Sequence, residues 1–122
     1  MAYVLVVEDD PDQRDLFAHI LCQAKYKVES AADGRHALAS ILFRRPDVLL
    51  LDLCLPEMDG TALLEVMRSY IRLQSVPVVV ITGLGDSPLV EHARSLNPSS
   101  VLTKAQAMPA DILQAVAAAL PN

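Results

Sequence analysis

The stretch PDVLLLDLCLPEMDG, Pro46 to Gly60, decides how this chain is read. From Val48 to Leu53 it is apolar at every position but one. That is the pattern of a parallel strand covered on both faces. The exception is Asp52. A carboxylate among leucines is costly unless it is paired or coordinated. Either Asp52 stands where its strand ends and water begins, or a nearby group compensates it.

On either side of this stretch the punctuation alternates regularly. Val4-Leu5-Val6-Val7 reads as a strand that stops at Glu8-Asp9-Asp10. Pro11 opens a helix, with Asp10 as N-cap and Gln13 at capping-box spacing. Leu16, Phe17, Ile20, Leu21 and Ala24 share one face of it. Tyr26 to Ala31 reads as a second strand, and Arg35 to Arg44 as a helix with Ala37, Leu38, Ile41 and Leu42 inward. After the Cys54–Asp59 loop the spacing predicts a helix from Gly60 to about Leu73, with Leu63, Leu64, Met67 and Ile71 inward. Pro77 leads the strand Val78–Ile81. Ser87-Pro88, cap and first turn, opens a helix that buries Leu89, Val90, Ala93 and Leu96. Val101-Leu102-Thr103 is a short last strand, and Pro109 opens a helix burying Ile112, Leu113, Val116 and Leu120. Repeated βα units imply an α/β fold, a doubly wound parallel sheet with right-handed crossovers. Ligands of such sheets bind at the carboxyl ends of the strands.

Composition narrows the function. The 122 residues suit one domain, with 52% hydrophobic and 20% charged residues. The net charge is −5, and no basic cluster exceeds Arg44-Arg45, so no nucleic-acid stripe is present. No apolar run reaches the roughly 20 residues of a membrane span, and Met1-Ala2-Tyr3 begins no secretory signal. Two cysteines, Cys22 and Cys54, are too few for a disulfide framework and are expected as thiols in a cytoplasmic setting.

The strand ends carry the chemistry. The first gives Glu8 and Asp9, the third Asp52, the fourth Thr82 and the fifth Lys104. Each has an ordinary reading as a turn, a cap or a solvated charge. Together, on one sheet edge, they make a set with one use. Clustered carboxylates repel, and a hard divalent cation such as Mg²⁺ resolves the repulsion. Asp52 can then attack phosphorus to give an aspartyl phosphate. Lys104 and the Thr82 hydroxyl would hold the other phosphoryl oxygens, and Gly83 leaves the approach open.

These residues resemble the receiver domain of two-component response regulators. The matching stretches are VLVVEDDPDQR (4–14), PDVLLLDLCLPEMDG (46–60), PVVVITG (77–83) and VLTK (101–104). The resemblance covers essentially all of residues 1–122, read as a single receiver domain. It implies a five-stranded (βα)5 flavodoxin-like sheet of order 2-1-3-4-5. It implies Asp52 as phosphoacceptor, Mg²⁺ held by Glu8, Asp9, Asp52 and the Cys54 backbone carbonyl, and Thr82 and Lys104 as switch hydroxyl and phosphate-binding lysine. The implied partner is a sensor histidine kinase or a histidine phosphotransfer protein, with no nucleic-acid or membrane contact and no enzymatic turnover. Any homodimer would form through the last-strand face.

The chain departs from the family pattern around its last strand. Ala105 replaces the proline after the lysine, Val101 the switch aromatic, Asn97-Pro98 the Gly-Ala, and Ser99-Ser100 the acidic pair. The trans form is expected at Lys104–Ala105, since a cis non-proline bond costs about 3 kcal/mol. Dehalogenase-like phosphohydrolases need a second Asp where Cys54 stands, and the G-x-G of Gly83-Leu84-Gly85 lacks the rest of a nucleotide fingerprint. The remaining alternative is a degenerate receiver that binds partners without phosphorylation. No linker or output domain is visible in the sequence, which reads as a stand-alone receiver or a domain of a longer protein.

Overall fold

The structure, a computed structural model, describes residues 1–121. The elements are β1 (Tyr3–Val7), α1 (Pro11–Gln23), β2 (Lys27–Ala31), α2 (Gly34–Phe43), β3 (Val48–Asp52), α3 (Gly60–Ser69), β4 (Val78–Thr82), α4 (Pro88–Ser95), β5 (Ser100–Thr103) and α5 (Pro109–Ala119). All neighbouring strands are parallel, in the order β2-β1-β3-β4-β5. This is the expected doubly wound α/β sheet.

Strand alternation divides the core in two. Leu5, Leu49, Leu51, Val78 and Val80 meet α2, α3 and α4 through residues such as Ala37, Ile41, Leu63, Met67, Val90 and Ala93. Val4, Val6, Val48, Leu50 and Val79 meet α1 and α5 through Phe17, Ile20, Leu21, Ile112 and Val116. Both faces of β3 are therefore covered, so its leucines run without a polar break until Asp52. Burying each such side chain is worth about 2 kcal/mol.

Helix starts follow the caps. The carboxylates of Asp10, Asp33 and Asp59 and the Ser87 hydroxyl accept first-turn backbone N–H groups. Gln13 takes no part: Asp10 accepts from Asp12 N.

Several side chains expected inward are not. The third helix ends at Ser69, and the chain turns through Tyr70, whose carbonyl accepts from Leu73 N and Gln74 N. Ile71 is consequently 84% exposed and Leu73 takes the core position. Leu16 and Leu42 are exposed because they flank the stripes made by Phe17, Ile20, Leu21 and by Ala37, Ile41. Ala24 is the C-cap of α1 and is exposed. Leu38, Leu89, Leu96, Leu113 and Leu120 are half-buried against the two clusters.

Arg68 explains where α3 stops. Its guanidinium donates to the carbonyls of Leu96 (2.9 Å), Gln74 and Val76 (3.0 Å each) and Asn97 (3.3 Å). One side chain thus fastens the turn after α3 to the end of α4, and its burial lowers its pKa. Arg68→Met is expected to cost about 2 kcal/mol in urea unfolding, because it orphans part-buried carbonyls. Arg68→Lys should recover little, lacking the planar fork. Full recovery by lysine would show that charge, not geometry, matters here.

Asn97 accounts for one departure from the family pattern. It has φ 60°, in the left-handed region, just past the C-cap Leu96. Asparagine tolerates that conformation better than other residues with a side chain, so it can stand where glycine is usual.

Candidate functional site

Each strand of the sheet's centre delivers a group to the carboxyl edge. β1 leads to Glu8, 1% exposed, and Asp9, exposed. β3 ends on Asp52, 2% exposed. One carboxylate oxygen from each of these three lies within 4.8 Å of the others. β4 ends on Thr82, buried, whose Oγ1 accepts from Leu84 N at 3.0 Å. Lys104 follows β5, and its backbone N–H donates to Thr82 O at 2.8 Å, extending the ladder by one residue.

Lys104 answers the question Asp52 raised. Its Nζ donates to Glu8 Oε1 at 2.6 Å and to Asp52 Oδ2 at 3.0 Å. Asp52 Oδ1 accepts from Cys54 N at 3.1 Å. Burial pulls the ammonium pKa down, but the hydrogen bonds and charges of Glu8 and Asp52 outweigh it and leave the pKa raised. The buried aspartate is therefore both at a strand end and compensated.

One ammonium against three carboxylates leaves a formal charge of −2. That excess, the all-oxygen donor set and the exposure of Asp9 fit a hard divalent cation that retains water. Cys54 is exposed at this site, and partial desolvation of its sulfur, followed by the charge of Asp52, raises its thiol pKa. Cys22 and Cys54 are both free thiols. The Lys104–Ala105 bond is trans.

Three supporting features went unread in the sequence. Arg14 Nη1 donates to the carbonyls of Glu8 (3.1 Å) and Asp9 (3.4 Å), holding the acidic loop against α1. Asp59 caps α3 through Ala62 N and the Thr61 hydroxyl, and those hydrogen bonds lower its pKa, the Thr61 bond foremost. Gly60 donates to Leu53 O at 2.9 Å, so α3 begins directly against the backbone bearing the aspartate. Asp59-Gly60 carried a readable cap signal; Arg14 carried none, because its acceptors are backbone groups.

A doubly wound sheet with an acidic pocket, a strand-end hydroxyl and a bridging lysine defines a class of phosphoryl-accepting α/β domains. The sequence matches the model of the response regulator receiver domain over residues 4–117. The DNA-binding dual master transcriptional regulator RpaA of Synechocystis sp. is 36% identical over 85 residues, which are 70% of this chain and 35% of RpaA. The chain spans less than two thirds of the length of most curated relatives it matches. Chemotaxis response regulator CheY4 of Vibrio cholerae superposes with a TM-score of 0.89 at 30% identity, covering 98% of this chain and 99% of that one. Response regulator Rcp1, in its Mn²⁺-bound form, gives a TM-score of 0.82 at 26% identity, covering 94% and 89%. The chain belongs to the response regulator receiver domain family, and its function is that of a receiver in two-component signalling.

Proposed function

We propose that Asp52 is the phosphoacceptor, with Mg²⁺ held by Glu8, Asp9, Asp52 and the Cys54 carbonyl. The observation that carries this reading is the bridge from Lys104 to Glu8 and Asp52, which leaves the three gathered carboxylates in excess over the single ammonium. The Mn²⁺-bound form of the related Rcp1 supports a divalent cation here. When bound, Mg²⁺ supplies charge neutralisation for the carboxylates and a phosphoryl oxygen. An Asp52 carboxylate oxygen attacks the phosphorus of a phosphohistidine on a sensor histidine kinase or phosphotransfer protein. The P–N bond breaks, the imidazole nitrogen takes the electron pair and a proton from solvent, and an acyl phosphate forms. Lys104 and the Thr82 hydroxyl stand at the ends of β5 and β4 to receive the remaining oxygens.

The domain takes one phosphoryl group and turns over no substrate of its own. A cytoplasmic location is proposed with it, to match a kinase donor on that side of the membrane; no described helix is long and apolar enough to cross a membrane. Any pairing of two copies is proposed for the face of β5, one of the two edge strands.

Incubation with acetyl phosphate and Mg²⁺, read by intact mass, tests the site. One added phosphoryl is expected, absent in Asp52→Asn and without Mg²⁺. No adduct with any donor would favour the degenerate, phosphorylation-independent receiver.

The phosphoryl group is expected to be long-lived. In receivers, the residues two past the phosphoacceptor and two past the switch hydroxyl flank the path of hydrolytic water. Here they are Cys54 and Leu84. Neither orients water well, and Leu84 packs toward the cluster under α2–α4. General-base help is worth about 10²–10⁴-fold where present. Cys54→Asn with Leu84→Glu is expected to hydrolyse about tenfold faster than the parent, a modest part of that range. A parent that loses its phosphate within seconds, or a variant no faster, would refute this.

A further inference from the structure

Four large apolar side chains, Leu42, Phe43, Tyr70 and Ile71, are exposed together where the end of α2 meets the turn after α3. Phe43 is 93% exposed and Ile71 84%. They line a groove of ≈ 740 Å³ whose inner wall is formed by the core residues Ile41 and Leu73. Scattered apolar residues on a surface need no explanation, but a contiguous set around a concavity marks an interaction site.

The charge around the groove runs against that of the chain. The groove's lining holds no Asp or Glu. Arg45 and Arg72 line the groove itself. Arg44 lies alongside, over the Tyr3 ring at 4.4 Å. Among the described residues, Arg44, Arg45 and Arg72 pair with no carboxylate. Arg45 donates to the Ser75 hydroxyl at 2.7 Å, so a protein of net charge −5 carries a cationic, apolar cleft whose arginines meet no carboxylate.

We propose that this groove docks an amphipathic segment of a partner protein, with apolar side chains at helical spacing flanked by Asp or Glu. Apolar anchors would fill the cleft between Phe43 and Ile71, and the partner's carboxylates would meet Arg45 and Arg72. A second copy is disfavoured, because an isologous contact would set one arginine rim against another. A concave cleft also suits a side-chain ridge better than a lipid surface. The site lies beyond the opposite end of β3 from Asp52, and that strand alone is about 13 Å long. Docking and phosphorylation are therefore separately measurable.

Selection from a random-peptide display library on the immobilised protein tests this. Enriched peptides are expected to combine acidic residues with apolar residues at helical spacing. Their affinity should fall about tenfold or more in Phe43→Ser/Ile71→Ser, as for loss of buried anchors, and also fall in Arg72→Glu. Acetyl phosphate labelling of Asp52 should be unchanged in both variants. No enrichment, enrichment of basic peptides, or binding that survives both variants would overturn the proposal. So would Phe43-dependent sedimentation with vesicles of equal parts phosphatidylglycerol and phosphatidylcholine, which would assign a membrane. Phe43-dependent self-association in sedimentation velocity would assign a second copy and overturn it too.

Discussion

Lys104→Met is expected to destabilise the metal-free protein by about 4 kcal/mol, because it strands the buried carboxylates of Glu8 and Asp52 without their shared cation. The same variant should accept phosphate from acetyl phosphate about a hundredfold more slowly or worse, as for removal of one preorganised donor to a developing charge. The two losses separate by condition. Millimolar Mg²⁺ should return most of the stability by binding the folded state, while the labelling rate stays low. The pH dependence follows from the raised Lys104 pKa. A raised pKa contributes stability that is complete below the unfolded lysine value, about 10.4, and is lost as pH rises through the folded value. The gap between parent and variant should therefore be full at neutral pH and narrow only in alkali. Urea unfolding with and without Mg²⁺ at neutral and alkaline pH measures this. A variant as stable as the parent without metal would show that the bridge contributes nothing.

Gly60→Ala is expected to cost about 3 kcal/mol, the upper end for overpacking. A Cβ there would sit 2.5 Å from Asp52 O and 2.7 Å from Leu53 Cα. Both are backbone atoms of the central strand and cannot rotate away, so α3 must shift outward. The shift also breaks the Gly60 N–H to Leu53 O hydrogen bond beside Asp52, so labelling of Asp52 should fall with stability. Gly85→Ala is the control. An added Cβ there meets nothing within 4 Å, and surface changes of that kind are usually within about 0.5 kcal/mol. Thermal melts and phosphorylation rates of the two variants test the contrast. Equal melting temperatures would mean that α3 accommodates the methyl group.

How much of this protein is legible along the chain depends on the distance between cause and effect. The strands, the helix starts and the strand-end set Glu8, Asp9, Asp52, Thr82 and Lys104 are written in local patterns: apolar runs, caps and prolines a few residues apart. Covalent neighbours enforce those patterns, so sequence alone determined the fold class and the candidate site. Helix ends and outward faces were less legible. Ile71 continues the stripe of Met67 by spacing, yet Arg68 draws the chain into a turn through carbonyls up to 29 residues away. What compensates Asp52 and Glu8 is settled by folding, because Lys104 lies 52 and 96 residues from them in sequence. Likewise only the packing of α2 beside the turn after α3 joins Phe43 to Ile71 in one cationic groove. Charge pairing and apolar contact act across space, and separation along the chain carries no record of which distant groups the fold brings together.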